Sequence, residues 1–156
     1  MGNIFAVTNQ KGGVGKTTTT VNLAASLAEN AKKVLLIDLD PQGNATTGCG
    51  VGKATLEKSS YDVLMGEAKA ADVIVKRDDF SFDVIPTNAD LTAAEIELLD
   101  EKQREHRLRL ALEPIRVDYD YILIDCPPSL SMLTLNALVA SKGVICLLYT
   151  SPSPRD

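Results

Sequence analysis

Cysteine is scarce in this chain, and the 3 present, Cys49, Cys126 and Cys146, show neither paired nor metal-ligand spacing. That pattern excludes a disulfide framework and leaves free thiols in a reducing compartment as the expectation. Histidine is scarcer still. The single one, His106, falls in the charge-dense stretch Asp100 to Arg109, which reads as a solvated face rather than a site. No apolar run is long enough to cross a bilayer and no signal peptide is legible, so no membrane association is expected. Excess positive charge is missing as well. A net charge of −5 gives no electrostatic footprint for nucleic acid over the chain as a whole, so any DNA-binding patch must be local or lie outside it. At 45% hydrophobic residues the composition fits a soluble, cytoplasmic α/β domain.

Glycine is concentrated where it matters. Lys11-Gly12-Gly13-Val14-Gly15-Lys16-Thr17-Thr18 stands between Ile4-Phe5-Ala6-Val7, a short buried strand, and a segment that sets Val21, Ala24, Leu27 and Ala28 on one helical face. Strand, glycine loop and helix in that order form the context of a P-loop. A polyphosphate needs many backbone N–H donors converging on it without Cβ atoms in the way, which Gly12, Gly13 and Gly15 permit. A helix beginning near Lys16 aims its unpaired N–H groups and positive dipole end at the same phosphates. Lys16 adds a full charge for the β- and γ-phosphates, and Thr17 a hydroxyl for Mg²⁺. Lys11 to Thr18 are therefore the expected nucleotide-binding residues.

Two further apolar strands end in acids. Val34-Leu35-Leu36-Ile37 has no polar alternation, as a parallel strand covered on both faces requires, and it runs into Asp38-Leu39-Asp40-Pro41-Gln42-Gly43-Asn44. Carboxylates at the carboxyl end of such a strand lie where open α/β sheets place their ligands. An Asp there can equally cap the next turn. Tyr121-Ile122-Leu123-Ile124 ends in Asp125-Cys126-Pro127-Pro128-Ser129, and Asp125 fits the Walker B role of accepting from a Mg²⁺-bound water. The prolines leave that loop little conformational freedom.

The glycine motif departs from the usual G-x-x-x-x-G-K-[ST], because Gln10 replaces the first glycine and Lys11 follows it. K-G-G-V-G-K-T-T resembles the deviant Walker A box of the ParA/MinD group of ATPases. Asp38-Leu39-Asp40-Pro41-Gln42-Gly43-Asn44-Ala45-Thr46, continuing through Thr47-Gly48, resembles the switch segment of the ParA/Soj branch, and Asp125-Cys126-Pro127-Pro128-Ser129 resembles the family's D-x-P-P-[SG] loop beneath the γ-phosphate. The resemblance covers about residues 2 to 145 and implies a three-layer P-loop NTPase fold with a mostly parallel sheet, incomplete at the carboxy terminus. It implies ATP and Mg²⁺ as ligands, with Thr17, Asp38 and Asp125 around the metal. Lys11 reaches the partner's phosphates across an ATP-bound homodimer, in the manner of an arginine finger. Lys16 neutralises charge and Asp40 positions the attacking water. It further implies chromosome or plasmid partition, with slow turnover stimulated by a ParB-like centromere-binding protein. Non-specific DNA contacts, nucleoid association and the adenine grip belong to parts of the family's domain beyond this sequence.

Elsewhere, Phe82-Asp83-Val84-Ile85-Pro86-Thr87 reads as another short strand. Thr92-Ala93-Ala94-Glu95 reads as a capping box opening one long helix to about Leu112, stopped before Pro114. Tyr61 to Met65, with Gly66 beyond, reads as a short helix, while Val73-Ile74-Val75 fits helix or strand. Ala140 to Ile145 leads into a further strand. Residues 146–156, Cys-Leu-Leu-Tyr-Thr-Ser-Pro-Ser-Pro-Arg-Asp, resemble a translated transposase-type sequencing adapter, so residues 1–145 are expected to be the native part of one ATPase domain. Three rivals share parts of this pattern. A MinD-like or other cargo-positioning ATPase differs in partner; an electron-transfer ATPase needs cluster-ligating cysteines that Cys126 lacks companions for; an inactive fragment keeps the motifs without turnover.

Overall fold

The computed structural model describes residues 2–9, 14–52, 57–76 and 81–147. Five strands, β1 (Asn3–Asn9), β2 (Val34–Asp38), β3 (Asp83–Ile85), β4 (Tyr121–Asp125) and β5 (Gly143–Leu147), form one sheet in the order β3-β2-β4-β1-β5. Every pairing between neighbours is parallel. The reason is visible in β2, whose five residues are all buried, a pattern that only a strand covered on both faces sustains. The fold is thus the three-layer P-loop NTPase type.

Helices supply the two outer layers. On one face, α1 (Val14–Glu29) and α2 (Asn44–Gly48) close a core of Ala24, Val34, Leu36, Ala45, Cys49, Phe82 and Val84, with Val21, Leu27 and Ala28 packed against it. On the other, α3 (Ser60–Leu64), α4 (Ala70–Val73), α5 (Leu91–Glu97), α6 (Arg107–Leu112) and α7 (Met132–Ala140) cover Ile4, Leu35, Ile37, Ile85, Ile122 and Ile124. Alternate residues of β2 therefore feed opposite cores, Leu36 one and Leu35 and Ile37 the other. Helix α1 ends in paired bonds, Ala31 N–H to Ala28 O at 3.1 Å and Lys32 N–H to Leu27 O at 3.2 Å, with Ala31 at φ 61 where glycine is the usual occupant.

The long helix expected from Thr92 to Leu112 is not formed. Asp90 precedes α5 without a side-chain cap, and the chain passes through 3₁₀ turns at Leu98–Asp100 and Arg104–His106, with Gln103 at φ 55, before α6 begins. The stretch from Asp100 to Glu105 offers no apolar side chain to hold a helix on the core, whereas Leu98 and Leu108 on either side are both buried. The backbone groups freed by the break are met by Asn136 of α7. Its Nδ2 donates to Arg104 O at 2.8 Å, and its Oδ1 accepts from Leu108 N–H at 3.1 Å. The stretch read as a solvated face is therefore tied to α7 through its backbone, although half of its residues, Asp100, Lys102, Gln103, Arg104 and Arg109, remain exposed. Glu95, expected to cap its own helix, instead accepts from Met132 N–H at 3.0 Å and caps the start of α7. The ambiguous Val73-Ile74-Val75 is both things in turn: α4 ends at Val73, Ile74 is extended, and Val75 forms an antiparallel bridge to Val84.

Candidate functional site at the strand ends

Parallel strands deliver their carboxyl ends to one edge, and the register fixes which residues meet there. Asp38, last in β2, is in register with Asp125, last in β4, and Asp125 is in register with Val7 of β1. The backbone continues the zipper beyond them, Leu39 N–H donating to Asp125 O at 2.9 Å and Cys126 N–H to Val7 O at 3.1 Å. Asp38 and Asp125 are fully buried and Asp40 is 5% exposed, so acids gather here in the interior. Charged side chains are almost never so placed without a partner.

Each acid is held by specific donors. Asp38 Oδ1 accepts from Asp40 N–H at 3.1 Å, while Oδ2 accepts from Thr46 N–H at 2.8 Å and Thr46 Oγ1 at 2.6 Å. Gly43, which precedes α2, has no side chain, so the Asp38 carboxylate supplies the acceptor that α2 would otherwise lack at its start. Asp40 Oδ1 accepts from Gln42 N–H at 3.0 Å, and Asp40 O from Gly43 N–H at 2.8 Å; Gly43 takes φ 67, which suits glycine. The turn-capping role open to both acids is thus realised. Thr20 of α1, itself fully buried, donates through Oγ1 to Asp125 Oδ1 at 3.4 Å, linking the helix after the glycine loop to β4.

Burial pushes the Asp38 carboxyl up from 3.8 to about 6; the Thr46 hydrogen bond opposes this and the neighbouring Asp125 charge adds to it. Among the described residues no Lys or Arg offsets the charge of this acid. Among the described residues no group of three or more His, Cys, Asp or Glu stands together as a metal cage. Two carboxylates at the carboxyl end of a parallel sheet suit instead an ion that takes one or two carboxylates and completes its shell with water and other oxygens.

Lys11, Gly12 and Gly13 lie outside the described residues. For Val14, Gly15, Lys16 and Thr17 the backbone runs in the first turn of α1 and the side chains lie outside the description; Thr18 is exposed. The structure therefore brings together Asp38, Asp40 and Asp125, and sets the start of α1 directly after β1, which neighbours β4. Residues 148–156 are likewise outside the description. Sequence reasoning missed the threonines. Thr46 was part of the quoted switch string, yet nothing in its spacing from Asp38 signals that its hydroxyl and amide share one carboxylate oxygen. A cleft of about 610 Å³ lies elsewhere, lined by residues including Val63, Lys69, Arg107, Leu110 and Ile115. None of the strand-end acids touches it. Among the described residues no helix is long and apolar enough to cross a membrane.

A family model described as an AAA domain matches residues 2–152. The chain is 56% identical over 145 residues to the sporulation initiation inhibitor protein Soj of Bacillus subtilis, covering 93% of this chain and 55% of Soj. It is 54% identical over 143 residues to the chromosome partitioning protein ParA of Caulobacter vibrioides, covering 90% of this chain and 54% of that protein. Among solved structures, one of cobyrinic acid a,c-diamide synthase from Mycobacterium smegmatis with bound ADP and magnesium matches with a TM-score of 0.91 at 44% identity, covering 95% of this chain and 60% of that one. The chain spans about half the length of the curated relatives it matches.

Proposed function

From the premise that this chain belongs to the AAA domain family and is of the ParA/Soj type of P-loop ATPase, we propose that it forms the phosphate- and metal-binding part of an ATPase that partitions chromosome or plasmid DNA. The observation that carries the reading is the register of Asp38 against Asp125, which sets two buried acids side by side next to the strand that leads into the glycine loop. In this reading Mg²⁺, when bound with ATP, offsets the charge developing on the transferred phosphoryl group.

The chain's own residues do the rest. Asp38 and Asp125 accept hydrogen bonds from water in the metal's shell, and Thr17 offers its hydroxyl to the same ion. Gly12, Gly13, Val14, Gly15 and Thr18 present the loop and helix start to the phosphates, where Lys16 neutralises charge. Asp40 orients the attacking water. The residue is 5% exposed and its own turn is braced by Gln42 and Gly43, so it sits on a defined backbone rather than a free loop. Lys11 reaches the phosphates held by a second copy, so ATP closes a homodimer and hydrolysis opens it. Turnover is slow until a ParB-like partner stimulates it. DNA contact comes from segments of the longer relatives that this chain does not span, because the net charge of −5 offers no general basic face. The protein works in the cytoplasm, on the nucleoid.

Titration of the intact gene product with a fluorescent ATP analogue tests the reading. Binding is expected to require Mg²⁺ and to be lost in Lys16→Ala; Asp40→Ala should bind and not turn over. Metal-independent binding, or normal binding by Lys16→Ala, would remove the P-loop from the account. A second reading is favoured by the name of the Mycobacterium smegmatis structures, a cobyrinic acid a,c-diamide synthase with ADP or an ATP analogue and magnesium bound. In that reading ATP consumption should depend on an added carboxylic acid substrate, so ATP hydrolysis stimulated by DNA and a partner protein, with no acid added, separates the two.

A further inference from the structure

Thr46 occupies the junction between the acid at the end of β2 and the loop after β3. It is fully buried, and its Oγ1 lies 2.6 Å from Asp38 Oδ2 while accepting from Thr87 N–H at 2.9 Å. A hydroxyl has one proton to give, and a backbone N–H can only donate. The Thr46 proton must therefore point at Asp38, and its lone pair at Thr87. With Thr46 N–H at 2.8 Å on the same Oδ2 and Asp40 N–H at 3.1 Å on Oδ1, the carboxylate plane is set by three donors. Thr87, also fully buried, follows Pro86, whose carbonyl accepts from Ser60 N–H at 2.8 Å at the start of α3. One hydroxyl thus joins β2, the loop after β3 and, through that loop, α3.

We infer that Thr46 is a positioning residue: it aims the Asp38 carboxylate at the cation shell and couples that acid to the backbone of the loop after β3. The inference rests on the ATPase reading of Asp38 for its first half only; the second half concerns the protein without nucleotide. Replacing the hydroxyl by a methyl group of equal size leaves Asp38 with fewer donors and Thr87 N–H buried without an acceptor.

The test compares Thr46→Val and Thr46→Ser with the natural residue in the intact gene product. Two quantities are read: the Mg²⁺ concentration that half-saturates binding of a fluorescent ATP analogue, and amide hydrogen exchange at Thr87 in nucleotide-free protein, with Leu36 as a core reference. Thr46→Val is expected to need about tenfold more Mg²⁺, as loss of the charge-assisted bond to Asp38 implies, and to exchange Thr87 at least about tenfold faster at an unchanged Leu36 rate, as loss of the neutral bond from Thr87 N–H implies. Thr46→Ser, which keeps the hydroxyl, should restore both to within about threefold. Should the valine variant not fold, Thr46→Cys, whose thiol donates weakly, carries the same comparison. Unchanged Mg²⁺ demand and Thr87 exchange in Thr46→Val would overturn the inference, as would a serine variant as impaired as valine, which would assign the effect to methyl packing. If the natural protein binds no nucleotide, the ATPase reading fails, and the exchange rates alone decide the coupling.

Discussion

Asp38→Asn should stabilise the nucleotide-free protein at neutral pH while damaging its site. The Asp38 carboxyl is pushed from 3.8 up to about 6 in the folded chain, first by burial, with the Thr46 bond opposing and the Asp125 charge adding. A folded-state value above the unfolded one means the fold binds the proton more tightly. The group's contribution is then fully present below about pH 4 and is lost as pH rises through about 6. A shift of about two units at about 1.4 kcal/mol each makes the loss about 3 kcal/mol by pH 7. Asparagine carries no charge to bury, so the variant escapes this loss. It also gives something up: with its carbonyl toward Thr46, its amide faces the Asp40 N–H that Oδ1 now accepts, a mismatch worth about 1–2 kcal/mol. The net expectation is a gain of about 1–2 kcal/mol at pH 7.5 that reverses to a deficit near pH 4. Urea unfolding of both proteins in EDTA, across pH 4 to 7.5, reads this directly. Parallel stability curves for the two would refute the claim that a buried, strained charge sits at the end of β2. Mg²⁺ with nucleotide should then stabilise the natural protein and leave the variant nearly unmoved.

Other outcomes follow from single contacts. Ala31→Gly should raise stability by about 0.5–1 kcal/mol by urea unfolding, because φ 61 costs an alanine more than a glycine loses in the unfolded chain. Asn136→Ala should cost about 2–4 kcal/mol, since it strands Leu108 N–H and Arg104 O at the break before α6; a loss under about 0.5 kcal/mol would mean that water replaces the amide. Leu36→Ala, at a fully buried position in β2, should cost about 2–5 kcal/mol in the same assay and leave the pH dependence of unfolding unchanged.

Much of this architecture is legible in the chain because parallel strands carry a strong signal. Val34 to Ile37 and Tyr121 to Ile124 are unbroken apolar runs ending in acids, and once both are accepted as neighbours, Asp38 and Asp125 meet by register. The sheet itself needs nothing finer. The interrupted segment from Leu91 to Leu112 is illegible for the opposite reason. The stretch from Asp100 to Glu105 has no apolar side chain to hold it on the core, and what lets the chain break there is a partner from another element, the buried amide of Asn136 inside an apolar helix, which meets the freed backbone groups. The Thr92 to Glu95 capping box failed similarly, because Glu95 found a better donor in Met132. The same limit hides Thr46. That its hydroxyl faces Asp38 depends on the tight turn at Gly43 and on Thr87 arriving from a third strand, neither of which has a periodicity to read.

In the proposed ATPase, this sheet edge holds Mg²⁺ and ATP phosphates and turns the nucleotide over. Phosphate release by the intact gene product, measured with ATP and Mg²⁺ in the presence of DNA and a cognate partner, tests it most directly, with Lys16→Ala and Asp40→Ala alongside. The expected result is slow, Mg²⁺-dependent release stimulated by the partner, absent in both variants, with nucleotide still bound by Asp40→Ala. Release that persists in Lys16→Ala, or that is indifferent to Mg²⁺, would contradict it.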